Sequence, residues 1–429
     1  MPRALHLECS SLMNVEGSVR ATRLPGAIFV TGGLTGNLVR FYLFVGLTGF
    51  FLWLPVWVLY FQQRGMTLTQ LGVLDAIGWV LMAAAEVPTG GLADRYGRKW
   101  SLAGGAVLLG FSMLAITTEL FSPVFLVGWM LWGIAHTFFS GADAAYLYDT
   151  LKAEGRAGDY ARFAGWSFAV LQGSQGLASL VGGWIGAFDM TLCFLIPAGL
   201  CFIAAVLATT LHEERSNLAE PRRSYWAEMT QGTLIAVSRP VVRYLVLIGA
   251  STLVFPFLLV FMLLQPYATE LGVPVWALGV LVMLRGAAAV GGSMLASRAA
   301  ALSGAARVLV GTQIAVVICM AALAFAPSQP ILLLFVAMSF ANGLLRPVLS
   351  ALLNDEIPSE QRATIVSLQA LLWTVFLAGV EPALFALVER TSLAFGIGVS
   401  AAALAVVAAG LLQLWRRAML SRRVALGSI

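Results

Sequence analysis

Seven ionisable side chains fall inside long apolar runs of this chain: Asp75, Glu86, His136, Asp143, Arg285, Arg346 and Glu381. Such a group is expensive to bury in hydrocarbon, so it faces a cavity, a partner or a proton path. Arg285 lies near the middle of its run, where a basic side chain cannot easily reach the surface, and is expected to contact a bound molecule. Arg346, just before Pro347, either joins it or reaches the nearer surface. Two buried cations in one half of the chain favour an anionic group on whatever is bound. The structural alternative is an ion pair of Arg285 with Glu381 or with an acid from the first half. Among the acids, Glu86 and Asp143 lie toward one end of their runs, and Asp75 and Glu381 toward the other. A carboxyl group so placed can take up and release a proton as its surroundings change, although Glu86 could equally anchor one helix to another by a hydrogen bond. His136 is a second proton or ligand contact, or a packing residue. Gln172 and Gln175 could orient a ligand, while Trp53, Trp57, Phe257, Phe261 and Trp373 offer aromatic faces to an apolar or cationic body, or simply pack.

Between the second and third runs, Gly90-Gly91-Leu92-Ala93-Asp94-Arg95-Tyr96-Gly97-Arg98-Lys99-Trp100 gathers an acid, three bases and three glycines. Gly91 permits close approach to a neighbouring helix, and Gly97 a tight turn. Asp94 is expected to meet the N-terminus of a later helix near Arg362, where the helix dipole favours an acid by about 0.3–1 kcal/mol. Arg95 is expected to pair with Asp149 and hold Asp94 in place. The whole group, Gly91, Asp94, Arg95, Gly97, Arg98, Lys99, Asp149 and Arg362, then reads as a latch that shuts one side of the molecule. The alternative is that Arg95, Arg98 and Lys99 only mark which side of a membrane the loop occupies.

The elements that position these residues follow from composition. A hydrophobic fraction of 59% with 11% charged residues leaves too little polar surface to cover a soluble particle of 429 residues. A membrane-crossing helix needs roughly 20 mostly apolar residues, and about a dozen such runs occur, near 39–62, 71–93, 100–119, 123–149, 160–187, 190–211, 241–266, 274–297, 307–326, 329–353, 361–388 and 391–415. The fold class is all-α. A β-barrel is disfavoured because the runs lack period-2 alternation. Cys9, Cys193, Cys201 and Cys319 show no metal spacing and read as packing residues, and no cofactor or metal is expected. Of 26 basic residues, Arg64 and Arg390 fall on one side and Arg285 and Arg346 within helices, with the rest in the termini and even-numbered loops. Both termini are therefore expected in the cytoplasm, in a multi-pass protein of the cytoplasmic membrane. The net charge of +5 follows from this topology and needs no nucleic-acid partner.

The longest polar interruption divides the chain into a cytoplasmic extension (1–38), a six-helix bundle (39–211), a cytoplasmic linker (212–240), a second six-helix bundle (241–415) and a cytoplasmic tail (416–429). The halves share a pattern. Tyr148-Asp149-Thr150 followed by Arg162 and Ser167 recurs as Asn354-Asp355-Glu356 followed by Arg362 and Ser367, and Arg95 aligns with Arg298, leaving Ser297 in the place of Asp94.

The spacing Gly91-x-x-Asp94-Arg95-x-Gly97-Arg98-Lys99 resembles the loop between the second and third helices of the major facilitator superfamily. Glu86-Val87-Pro88-Thr89-Gly90, Ser140-Gly141-Ala142-Asp143 and Arg362-Ala363-Thr364 are similar to a bacterial multidrug or unknown-substrate branch of it. The resemblance implies twelve helices in two pseudo-symmetric bundles and a secondary active transporter working by alternating access. Its substrate would be a small organic molecule, its coupling ion a proton or another ion, its solvent the lipid bilayer, and its functional unit the monomer. Proton-coupled efflux of amphipathic compounds is the leading expectation, with uniport or symport of an organic anion as the alternative. Three positions depart from the drug-antiporter pattern: Trp129 replaces an Arg, Gly173 to Gly186 contain no proline, and Ala144 replaces an acid. A membrane enzyme or receptor is a weaker reading, since no HExxH, G-x-S-x-G or P-loop is present.

Overall fold

The computed structural model describes residues 34–213, 225–358 and 361–427, which are helical with no strand among them. Most of the N-terminal extension, with Cys9, lies outside the described residues. Twelve spans are laid out in order. The first is broken (Leu34–Thr48 and Trp57–Gln63). It is followed by Leu68–Tyr96, Arg98–Ala115, the kinked Pro123–Phe139 with Ala142–Ala153, Tyr160–Phe188 and Leu192–Thr209. The second bundle opens with another broken span (Pro240–Ser251, Val254–Leu258 and Leu264–Glu270), then Val275–Ser303, Ala305–Phe325, Leu333–Asn354, Arg362–Arg390 and Leu393–Gly427. Nine of these are, by length and composition, long and apolar enough to cross a membrane. The other three are the broken first span, the third with Arg98 and Lys99 at its start, and the fifth, which carries Gln172, Gln175 and several glycines. The interval between the bundles is not wholly extended polar chain, because Tyr225–Ser238 forms a helix that packs on the seventh and eleventh spans.

Local sequence sets the helix ends. Thr67 and Gln70 form a reciprocal capping box at the start of the second span, with bonds of 3.1 and 3.0 Å. Ser122 caps the fourth span ahead of Pro123, whose missing N–H is harmless at the first helical position. Gly97 and Gly304 make the matching turns of the two halves at φ of 101° and 87°, a region that favours glycine. That match places the repeat one helical turn away from the alignment of Arg95 with Arg298, so Ala301 stands where Asp94 does. The acid is still missing from the second copy.

The two breaks matter most for the site. Pro55 cannot donate a backbone bond, and residues 49–56 leave the helix within the membrane, which frees backbone groups that hydrocarbon cannot satisfy. Turns bond the N–H groups of Phe50, Phe51, Leu52, Leu54 and Val56 within the segment, and Gln265 of the seventh span satisfies two of the remaining groups from the other bundle. Its Oε1 accepts from the Val58 N–H at 2.9 Å and its Nε2 donates to the Leu54 carbonyl at 3.0 Å, with the side chain 1% exposed. In the seventh span itself, Leu259–Leu263 form a π-turn, a common device at functional sites.

The bundles meet at the face that carries Arg64 and Arg390, called here the far face; the opposite, arginine-rich face is the basic face. Besides Gln265, Thr69 of the second span bonds Glu389 of the eleventh, and Trp184 stacks on Trp276 with ring centroids 5.5 Å apart. Glycines let the backbones touch. A Cβ on Gly183 would lie 2.7 Å from the Trp276 carbonyl and 2.8 Å from Gly279 Cα. Gly183→Val is therefore expected to weaken far-face closure by ~1–3 kcal/mol. Spin-label distances between the far ends of the fifth and eighth spans should lengthen relative to wild type, and unchanged distances would contradict this packing.

Candidate functional site

A cavity of about 420 Å³ lies at mid-depth between the bundles. The first bundle supplies Glu86, which faces the Ser140 hydroxyl, together with His136 and Gln175; the second supplies Arg285 and Phe261. Trp53, Trp79 and Trp132 complete its aromatic wall. His136 rests edge-on against Trp132 at 4.7 Å, and its Nε2 is buried with no protein partner. That nitrogen can bond a polar group that enters the cavity.

Arg285 does not pair with Glu381. Its Nη1 donates to the Val260 carbonyl at 2.6 Å, and Val260 belongs to the π-turn of the seventh span. The π-turn thus positions a guanidinium, and no carboxylate among the described residues forms a salt bridge with it. Donors left over on that planar group are available to a carboxylate or phosphate-like group.

A second, much smaller cavity of about 40 Å³ lies on the far-face side of the first. Trp53, Trp79, Trp132 and Phe261 line both and form the partition between them. Trp57 and Asp75 belong to the smaller cavity. Above the partition Trp373 of the eleventh span crosses to Trp79 of the second, edge-on at 5.3 Å, and within its own bundle it meets Phe257 edge-on at 5.2 Å, which stacks on Phe261 at 5.1 Å. Asp75 Oδ2 accepts from Trp79 Nε1 at 2.8 Å, and the Glu381 carboxyl faces Asp75 from the eleventh span.

The structure thus brings Trp53, His136, Gln175, Phe261, Arg285 and Glu86 around one space, with Phe257 and Trp373 packed in its roof. Gln172 is half-buried outside the cavity lining, and Arg346 is exposed, so the second cation does not join Arg285. Asp143 starts the Ala142–Ala153 helix and accepts from the Ala144 N–H at 2.6 Å. Gln265 was not singled out from sequence, and Ser140 only as part of the Ser140-Gly141-Ala142-Asp143 motif. The signal for Gln265 is a buried amide beside Pro266 in an apolar run, paired with Pro55 in the first.

The charged loop differs from expectation in one pairing and at Gly91, which is exposed and where an added Cβ would meet nothing within 4 Å, so no neighbouring helix packs closely there. Arg98, not Arg95, binds Asp149, and it also donates to the Ala145 carbonyl at 2.7 Å. The reason is geometric: Gly97 ends the second span, so Arg98 opens the third and points at the fourth, while Arg95 lies exposed on the last turn of the second beside the Tyr96 ring. Glu213 caps the third span, accepting from the Arg98 and Lys99 N–H groups at 2.7 and 3.1 Å. These contacts stay within the first bundle. Arg362 is exposed and turns to the Asn354 carbonyl in its own bundle at 3.4 Å; the Asp94 side chain lies outside the described set.

Comparison with known proteins agrees with this architecture. An uncharacterised MFS-type transporter, YxaM of Bacillus subtilis (strain 168), is 28% identical over 110 residues, 24% of this chain and 26% of that protein's length. Among solved structures, the nucleoside transporter NupG superposes with a TM-score of 0.68 at 15% identity, covering 89% of this chain and 99% of that one. A bacterial homologue of the human lysosomal transporter Spinster, in an inward-facing and unoccupied conformation, gives 0.67 at 14% identity over 92% and 94%. A D-xylose-proton symporter gives 0.63 at 14% identity over 88% and 96%. At these identities the structures establish the fold alone. The sequence pattern of the Major Facilitator Superfamily matches residues 39–380, and with two six-span bundles around a central cavity the chain belongs to that family of secondary transporters.

Proposed function

We propose that this transporter carries small amphipathic organic molecules that bear an acidic group, and that it exchanges them for protons across the cytoplasmic membrane. The observation that carries the reading is Arg285, a cation without a carboxylate partner on the wall of an aromatic cavity. A flat apolar body would lie against Trp53, Trp132 and Phe261, while its anionic group would take the remaining donors of Arg285. Glu86 and His136 on the opposite wall offer a place for a proton or for a basic group of the same molecule. A neighbour of this fold is a proton symporter by its description, so the architecture is compatible with ion coupling.

The basic face is assigned to the cytoplasm by the positive-inside bias. The far face is then the sealed one, and the arrangement is inward-facing. In the outward-facing state the charged loop would swing onto the eleventh span, with Asp94 at the helix N-terminus near Arg362, and act as the latch of the basic face. The monomer is complete for this cycle, since one chain supplies both bundles, and the substrate leaves chemically unaltered. Uniport or symport of an organic anion is the second reading, favoured by the same free donors on Arg285.

Proteoliposomes separate the two. Proton release on substrate addition to purified protein supports exchange, whereas counterflow without proton movement supports uniport. Arg285→Ala should weaken binding of carboxylate compounds by about tenfold or more, the loss of a hydrogen bond to a charged group, while Arg346→Ala leaves it within about twofold. Preferential stabilisation by cationic compounds that survives Arg285→Ala would contradict the acidic-cargo reading. Asp94→Asn at equal surface expression should lower transport severalfold, and transport equal to wild type would remove the latch.

A further inference from the structure

The cavity uses Glu86 and Arg285 but leaves a second polar cluster unexplained. Asp75 and Glu381 are 6% and 0% exposed and face each other across the seam between the second and eleventh spans. Trp79 Nε1 donates to Asp75 Oδ2, but no protein donor reaches either oxygen of Glu381. Gly72 lets the second and eleventh spans approach here, since a Cβ there would lie 2.6 Å from the Phe385 ring and 3.4 Å from Glu381 Cγ.

No cation among the described residues faces the pair. The smaller cavity turns Trp53, Trp57, Trp129, Trp132, Phe261, Met113 and Ile116 toward Asp75 from the first, third, fourth and seventh spans. The charged groups at the far ends are engaged or exposed elsewhere: Arg64 with Tyr60 and the Ile116 and Thr118 carbonyls, Glu389 with Thr69, and Glu270 and Arg390 at the surface. The seventh and twelfth spans, which also pack on the eleventh, keep Arg243, Arg416 and Arg417 at the basic face. Two carboxylates buried together without a cation repel each other, and Glu381 lacks any donor; a single proton resolves both problems.

We infer that Asp75 and Glu381 form a proton-binding site that spans the two bundles and that the bound proton seals the far face. Glu381 carries the proton and donates it to Asp75, whose other oxygen accepts from Trp79. Loss of the proton leaves two facing carboxylates, whose repulsion pushes the second and eleventh spans apart and lets water in. Proton uptake from the far side then closes that side. The way inward follows one face of the second span, where Asp75, Trp79, Met82 and Glu86 recur at i, i+4, i+7 and i+11. That spacing sets the two carboxyls about 16 Å apart along the axis, one in the sealed cavity and one in the open cavity. This site gives the proton of the exchange proposed above a location, and so rests on that reading.

The test uses purified full-length protein in lipid nanodiscs, with spin labels on the far ends of the second and eleventh spans. In wild type the short-distance population should dominate at low pH and shift to longer distances as pH rises. In Glu381→Gln the amide donates to Asp75 at every pH, so the short distance should persist and the pH-driven shift be lost. The same shift in Glu381→Gln as in wild type would overturn the site. Infrared difference spectra give a readout independent of the labels: loss of one protonated-carboxyl band in Glu381→Gln, beyond any band that Glu86→Gln removes, supports the pair, and carboxyl bands unchanged from wild type overturn it. Transport distinguishes the two ideas. If a pH gradient drives no exchange in wild type while the distance shift is present and depends on Glu381, the site stands and proton coupling fails. If gradient-driven exchange continues unchanged in Glu381→Gln, coupling stands and this pair is not its proton site.

Discussion

The first span breaks in the middle of the membrane, and the seventh span of the opposite bundle repairs the break. In hydrocarbon an unpaired N–H or C=O has no water to turn to. Residues 49–56 expose such groups, and the Gln265 amide supplies both the acceptor for Val58 and the donor for Leu54. Turns bond most N–H groups of the break within the segment, but the Leu54 carbonyl and the Val58 N–H are partnered only when the bundles touch at the far face. Separation of the far ends requires that water replace Gln265, so hydration of the seam and opening of the far face are one event. The glycine contact of Gly183 with Gly279 and the Trp184 stack on Trp276 then add shape to a closure whose polar requirement is already met.

The membrane-embedded charges follow the same rule of local satisfaction. Arg285 is held by a carbonyl that the π-turn of the seventh span offers, which leaves the guanidinium fixed in position but not neutralised. A cation in that condition is a binding group by default. At the basic face the charges are instead satisfied within each bundle, by Asp149 and Ala145 for Arg98, by Glu213 for the start of the third span, and by Glu356 for Arg422. One end of the molecule is thus bonded across the seam and the other is bonded within its halves, which is the polar signature of a two-bundle transporter open on one side.

Much of this was legible in the chain. Continuous apolar runs located the twelve spans, because the bilayer imposes a minimum length on each; the last helix runs on past the expected end at 415, through the basic residues Arg416, Arg417, Arg422 and Arg423 to Gly427, since polar residues outside the bilayer can continue a helix. Arg285, His136, Glu86 and Gln175 stood out because ionisable and amide groups are rare in such runs, and they do share one cavity. Pairings were harder. Arg95 and Arg98 are both one side-chain length from the loop, and only the turn at Gly97 decides which of them points at Asp149. Gln265 was hidden because its partners are backbone groups, which a sequence does not display, freed by a break whose sole local mark is Pro55. Asp75 and Glu381 each looked like a separate proton candidate; their meeting depends on how the second and eleventh spans cross, which no periodicity encodes. The sequence leaves Arg346 between joining Arg285 and reaching the nearer surface for a similar reason, since depth along a helix says nothing of which side it faces; it lies exposed and outside the cavity lining.

Hydrogen exchange at the break tests the central claim most directly. The amides of Val58 and Leu59 should be strongly protected in wild type held with the far face closed, and Gln265→Leu should remove that protection while the flanking helix Leu68–Tyr96 keeps its own. Undiminished protection at Val58 and Leu59 in the variant would mean that the broken span is satisfied without its partner bundle, and the account of far-face closure would fail.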